Sequence, residues 1–286
     1  MALDRRTFLR RTTSGAMALA IPGGWSQRAN APTSGASIQL IRNATCIIRY
    51  AGKSFLLDPM LSDAGAIAAA QGGAGRRANP TVALPMAAAQ VVASADATLL
   101  THTHFDHWDR PARELLPKER TLFGQPADRH RLTDFTDVRP IETSVTWEGI
   151  TISRTGGQHG RGETGQSMGP VAGWVLSRQG LPTIYVAGDT VWCSDVADAI
   201  RRHNPDFIIV NSGAAQPVAN AGTIIMDVED VVSTCQAAPR ATIVAVHMDA
   251  LDFCTLSRDG LRAGVARASV KSTILIPQDG EDLKLA

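Results

Sequence analysis

The sequence predicts an α/β fold in four layers, an αββα sandwich, and three observations point to it. Short apolar runs rich in β-branched residues recur from residues 37–41 through residues 241–246. Helical segments alternate with such runs, most clearly in the second half, so two β-rich halves would each be covered by helices. Histidines and aspartates stand directly after several of the runs, which places polar chemistry at the carboxyl ends of strands, where α/β sheets hold it.

In chain order, the first segment carries paired arginines, Arg5 and Arg6, then Phe8-Leu9, an apolar run at 16–21 and the small-residue pattern Ala29-Asn30-Ala31 before Pro32. This resembles a twin-arginine export signal. It implies a signal peptide over 1–31, a catalytic domain over 32–286, the twin-arginine export machinery as a partner and a periplasmic or otherwise exported location. The apolar run is well short of the ~18 residues that cross a bilayer, and no later run is longer, so no membrane span is expected.

Residues 37–41, 45–50 and 54–58 read as a meander turned at Gly52. An Ala/Gly-rich stretch at 64–75 follows and ends in Arg76-Arg77. A long loop of this kind suits a lid, and Arg76 and Arg77 are candidates for gripping an anionic group of a substrate by forked hydrogen bonds. The plainer alternative is solvated charge on a mobile loop. A buried strand at 96–100, a helix at 111–116 and a strand at 121–123 come next. A hairpin then joins 144–147 to 150–153 across Glu148-Gly149. Strands at 183–187, 207–210 and 241–246, with a helix over about 194–203, complete the pattern.

Removing residues 1–31 subtracts five arginines and one aspartate and leaves 23 basic against 26 acidic residues, a formal charge of −3. With no Lys/Arg stripe and no basic-aromatic interleaving, a nucleic-acid partner is disfavoured. The remaining 255 residues suit one α/β domain with a sizeable core. The four cysteines, Cys46, Cys193, Cys235 and Cys254, show no C-x-x-C spacing, so buried free thiols are expected.

The densest chemistry is Thr101-His102-Thr103-His104-Phe105-Asp106-His107. Three imidazoles and a carboxylate so close together fit a divalent metal. His159 follows Gly156-Gly157-Gln158, Asp189 stands in Gly188-Asp189-Thr190, and His247 ends the run at 241–246. Of the seven histidines only His130 and His203 fall outside this set. His203 reads as a cation near a helix carboxyl end.

The H-x-H-x-D-H spacing with these later residues resembles the metallo-β-lactamase superfamily. The resemblance implies His102, His104 and His159 on one metal, Asp106, His107 and His247 on a second, and Asp189 bridging them. Two divalent ions about 3.5–4 Å apart can share a hydroxide and lower a water's pKa toward ~7. Zinc suits this set, with manganese or iron also accepted. The resemblance further implies that Asp106 carries a proton to the leaving group, that Asp58, before Pro59, supports the centre, and that the substrate is a small molecule.

Histidine at 104 in place of glutamate separates the chain from the di-iron electron-transfer relatives, and Asp189 separates it from true β-lactamases. Asn43-Ala44-Thr45, Leu57-Asp58-Pro59-Met60 and Arg77-Ala78-Asn79-Pro80 are most similar to the group that includes L-ascorbate-6-phosphate lactonase. The expected bond is an ester, lactone or relative, with a phosphodiester or a non-catalytic exported binding module as alternatives. After His247 the chain departs from that group, since residues 248–254 lack the Asn-His pair of many relatives.

Overall fold

The computed structural model describes residues 35–69, 77–217 and 222–285. The expected signal peptide over 1–31 and Arg76 lie outside the described residues, as do residues 70–75 of the Ala/Gly-rich loop. Within the described residues the chain builds two seven-stranded mixed sheets face to face, with helices on both outer sides.

The first sheet starts from β1 (Ala36–Arg42), β2 (Thr45–Tyr50) and β3 (Lys53–Leu57), an antiparallel meander. It continues in parallel through β4 (Ala97–Leu99), β5 (Leu122–Gly124) and β6 (Val138–Pro140). The second sheet is antiparallel through β7 (Ser144–Trp147), β8 (Ile150–Thr155), β9 (Gly173–Ser177) and β10 (Ile184–Val186). It then runs parallel through β11 (Phe207–Asn211), β12 (Thr242–Val246) and β13 (Thr273–Leu275). The last strand, β14 (Asp282–Leu285), returns to the first sheet and pairs antiparallel with β1.

Alternation along each strand sorts the layers. In β2, Cys46, Ile48 and Tyr50 enter the core between the sheets, where Trp174 and Ile209 meet them, while Ile47 points the other way. Central strands therefore bury both faces, and their sequences read as continuous apolar runs rather than alternating ones. Under the first sheet, Ile47, Leu56 and Leu122 pack on α1 (Ala88–Ala93) and α2 (Arg110–Leu115). Behind the second, Ile208, Val210 and Ile243 pack on Val196 and Ile200 of α4 (Ser194–His203), Val231 of α5 (Val228–Ala237) and Leu261 of α6 (Arg258–Ala268). A short helix, α3 (Gly162–Met168), rides on the loop after β8.

Capping fixes where these helices begin. Asp109, Asp227 and Ser257 each turn a side-chain oxygen onto a free backbone N–H of the first turn, of α2, α5 and α6 respectively. His203 closes α4, but burial lowers its pKa and the Arg202 charge lowers it further. The four cysteines are all free thiols, Cys46 and Cys235 buried and Cys193 and Cys254 half-buried. Among the described residues no helix is long and apolar enough to cross a membrane.

Candidate metal centre

Four strand ends deliver the chemistry. His102, His104, Asp106 and His107 lie on the loop after β4 in the first sheet, while His159, Asp189 and His247 follow β8, β10 and β12 in the second. The two sheets are joined at this edge. Ala172 N donates to Thr101 O (3.1 Å), His247 N to Asn43 O (2.9 Å), and the buried Trp174 indole to Leu100 O (3.0 Å).

Local backbone geometry aims the side chains. Asn43, Asp58 and His247 adopt left-handed conformations with φ of 59°, 42° and 64°. Such conformations cost non-glycine residues about 1–3 kcal/mol each and persist only where the surroundings enforce them. Gly188, at φ 73°, has no such freedom to become anything else: a Cβ there would stand 2.6 Å from Ala172 O. It lets Asp189 leave β10 at the angle that turns its carboxylate inward.

The donor atoms form two groups, His102/His104/His159 and Asp106/His107/Asp189/His247, each within 4.8 Å. Asp189 Oδ2 faces both, lying 3.1 Å from His107 Nε2, 3.7 Å from His159 Nε2 and 4.0 Å from His102 Nε2. Asp106 Oδ2 is 3.3 Å from His247 Nε2 and 3.7 Å from His107 Nε2. All seven except the half-exposed His104 are buried.

Hydrogen bonds set the tautomers. The Ile224 carbonyl can only accept, so His159 donates from Nδ1 (2.9 Å) and keeps a lone pair on Nε2. Asp58 Oδ2 accepts from His107 Nδ1 (2.9 Å) and from the Thr101 hydroxyl (2.7 Å), and Asp58 Oδ1 accepts from Thr101 N (2.8 Å). With its proton committed to Asp58, the Thr101 oxygen accepts from His102 Nδ1 (3.0 Å). As neutral rings, His102, His107 and His159 would thus all turn unprotonated Nε2 atoms inward. His104 differs, presenting Nδ1 at 3.0 Å from His102 Nε2 and 3.2 Å from His159 Nε2.

His104 Nδ1 carries at most one proton for the two nitrogens it faces, so lone pairs are left to repel unless a cation lies among them, and that is the observation by which these residues fit a metal. Charge points the same way. Burial works against a charged His107, yet with no ion bound Asp189, Asp106 and Asp58 hold its pKa up at about 10, and the Nε2 proton it then carries is what a metal would replace. Burial also opposes ionisation of Asp189, and His107 with His247 still holds it well below the carboxylate range. Burial drives His102 down, with the His107 charge adding to it, so His102 stays neutral as a donor must be. The cluster is built around positive charge at its middle.

Several contributors are not among the expected ligands. Asn211, at the end of β11, donates to Asp189 Oδ1 (2.6 Å), and Asn43 donates to the Asp106 carbonyl (2.9 Å). The Cys254 sulfur lies 3.6 Å from His247 Nδ1. A polar residue at the carboxyl end of β11, level with Asp189 and His247, is the one sequence signal by which Asn211 could have been found. Beside the centre opens a cavity of about 160 Å³ lined by Phe105, Met168, Ala215, Pro217, Ile224 and Phe253, with His104, Asp106, His159 and Asp189 at its base. Arg77 stands outside that wall: it is exposed, and its backbone N–H donates to Asp252 Oδ2 (2.7 Å). Asp252 also ties Asn79 to the loop that carries Phe253.

The family profile described as "Beta-lactamase superfamily domain" matches residues 53–248. The UPF0173 protein YddR of Bacillus subtilis (strain 168) is 39% identical over 250 residues, which are 86% of this chain and 98% of that protein. The structure of "a possible metal-dependent hydrolase" from Veillonella parvula DSM 2008 has a TM-score of 0.84 at 34% identity, covering 88% of this chain and 100% of that one. The isothiocyanate hydrolase from Delia radicum gut bacteria has a TM-score of 0.81 at 36% identity, covering 87% and 99%. With these likenesses and a His/Asp cluster able to hold metal, the chain belongs to the metallo-β-lactamase superfamily of metal-dependent hydrolases, within the UPF0173 family.

Proposed function

We propose that this chain is a binuclear hydrolase that adds water to an electrophilic carbon of a small molecule, an ester or lactone carbonyl in the first instance. The observation that carries the reading is Asp189, whose Oδ2 reaches toward both donor groups and so occupies the position of a bridge. His102, His104 and His159 would hold one divalent ion and Asp106, His107 and His247 the other, with zinc the first candidate and manganese or iron the next. Bound there, the pair would supply an activated water and a Lewis acid toward the scissile group.

The chain's own residues do the rest. Asp58 orients His107 directly and His102 through Thr101, Ile224 O orients His159, and Asn211 holds the bridging carboxylate. Burial disfavours a charged Asp106, but His107 and His247 hold its carboxyl below its ordinary range. Asp106 is therefore ionised where it lines the cavity, placed to take the proton released by water and pass it to the leaving group.

A second reading of the bond, the –N=C=S carbon of an isothiocyanate, is favoured by the similarity to the isothiocyanate hydrolase. The lactonase-like wording supports the bond type rather than a phosphorylated substrate, because among the described residues no Lys or Arg lines the cavity. Elemental analysis joined to hydrolysis of esters, lactones, isothiocyanates and phosphodiesters tests the proposal. His104→Ala and Asp189→Ala should each abolish turnover and leave the protein folded. Full activity with full metal content in either variant removes the ligand assignment, and a preference for phosphodiesters removes the carbon electrophile.

We also propose that the enzyme is exported folded by the twin-arginine route. Arg5-Arg6 with the apolar run and the Ala29-Asn30-Ala31 pattern support this.

A further inference from the structure

The metals would act on one end of a substrate; the cavity beside them bears on the other end. Its wall above the donor atoms is made by Phe105, Met168, Ala215, Pro217, Ile224 and Phe253, with no lysine, arginine or glutamate among them. The polar groups facing it, His104, Asp106, His159 and Asp189, all belong to the donor set at its base. A space of about 150 Å³ takes a benzene-sized guest, and this cavity, partly open and floored by the donor set, measures about 160 Å³.

The wall is assembled rather than incidental. Phe105 and Leu115 are the large apolar side chains left exposed among the described residues, at 43% and 45%. Phe105 stands inside the metal-binding loop itself, edge-on to Phe253 at 6.2 Å between ring centres. Phe253 is held in turn by its loop: Gln216 N donates to Phe253 O (2.8 Å), and Asp252 on the same loop pairs with Asn79. Ile224, whose carbonyl orients His159, turns its side chain into the same wall, so the apolar surface and the metal geometry share one residue.

We infer that this cavity binds the non-reacting end of the substrate as an uncharged, apolar group of about the size of a benzene ring, and that the enzyme selects neutral substrates over anionic ones of the same shape. The inference rests on the hydrolase reading above for the position of the reacting bond. An anionic group carried on the far end of the ring would be pressed against Met168, Pro217 and Phe253 without a partner, and burying it there is unfavourable.

Two measurements test this on the zinc-loaded protein. The first needs no turnover: fluorobenzene, followed by fluorine NMR, should bind saturably. Binding should vanish in Ala215→Phe, which fills the cavity, and weaken at least tenfold in Met168→Lys, a change at the half-buried end of α3 that a marginal fold tolerates more readily. The second compares kcat/KM for 4-(methylsulfonyl)phenyl acetate with 4-acetoxybenzenesulfonate, near-isosteric esters that differ in charge at the far end. The neutral ester should be favoured on the order of 100-fold, and Met168→Lys should narrow that ratio to below about tenfold by supplying a cation. Absence of saturable fluorobenzene binding, or binding unaltered in both variants, overturns the inference, as does an ester ratio near one. If fluorobenzene binds as described while no ester, lactone or isothiocyanate turns over, the assigned reaction fails and the cavity assignment stands. Turnover without a fluorobenzene site gives the reverse.

Discussion

Asp58→Asn should weaken metal binding at both positions at once. The native carboxylate accepts three hydrogen bonds, from Thr101 N, the Thr101 hydroxyl and His107 Nδ1. An amide whose oxygen keeps the Thr101 N–H must put its nitrogen at the other site, where it can only donate. One N–H would then face His107 Nδ1 and force that ring to carry its proton on Nε2, the atom it presents to the second donor group. The other would face the Thr101 oxygen, freeing the hydroxyl proton to donate to His102 Nδ1 and inverting that ring as well. Losing such an orienting partner typically costs 10–100-fold in metal affinity, about 1.4–2.8 kcal/mol per ion. Zinc competition against a chromogenic chelator gives both constants, and urea unfolding of the metal-free forms separates them from a general loss of stability. The metal-free fold should lose about 1–3 kcal/mol for the disturbed buried hydrogen bonds. The relay is refuted if both zinc constants stay within twofold of the parent, or if only the ion held by His107 weakens.

Gly188→Ala should lower metal content and stability together by more than about 2 kcal/mol, because its Cβ would meet Ala172 O at 2.6 Å in a left-handed backbone; thermal unfolding with and without zinc checks it, and an unshifted midpoint counts against the role given to Gly188. Trp174→Phe should cost about 1–3 kcal/mol, since Leu100 O loses its buried partner, measured by urea unfolding, with a neutral result removing the cross-sheet link from the account. Arg5→Lys/Arg6→Lys should leave an active, metal-loaded enzyme in the cytoplasm with its signal uncleaved, seen by cell fractionation; normal processing of the double variant overturns the twin-arginine proposal. Rerouting the catalytic domain through an unfolded-chain signal should alter its metal content, because folding first in the cytosol avoids competition from copper, which outcompetes zinc, manganese and iron at such sites; identical content by both routes removes that argument.

The strands and the donors were readable because one physical rule governs both. A strand buried on two faces must be largely apolar, as β4 and β12 are apart from Thr98 and Thr242, so a histidine or aspartate soon after it stands out. His102, Asp189 and His247 were legible for that reason, and Asp58, closing β3 before Pro59, was legible as a candidate. Asn211 follows the same rule and was overlooked, since asparagine is also ordinary at a strand end. The cavity wall was not legible. Phe105, Ile224 and Phe253 come from three loops and Met168 from the end of α3, brought together only by the fold, and no spacing links them. Arg76 and Arg77 drew attention as charge near an expected lid. Charge in a sequence shows no direction, and Arg77 is exposed and not among the residues lining the cavity, while its backbone N–H donates to Asp252. Helices α5 and α6 declare themselves mainly through their caps, Asp227 and Ser257, which are short polar residues of a kind that many turns share.

Strand β14 gives the molecule an order of assembly. The strand that opens the first sheet, β1, has β2 on one side and β14 on the other, and their register joins Ala36 to Leu285. At ribosomal speeds of about 5–20 residues per second, that side of β1 waits on the order of ten seconds or more for its partner to be synthesised. During that interval Ile38 and Leu40, whose backbone groups point to the β14 side, stay open along a free edge, the kind of template on which nascent chains pair with one another. A chaperone that shields this edge would shape the yield of the protein without ever touching the metal centre.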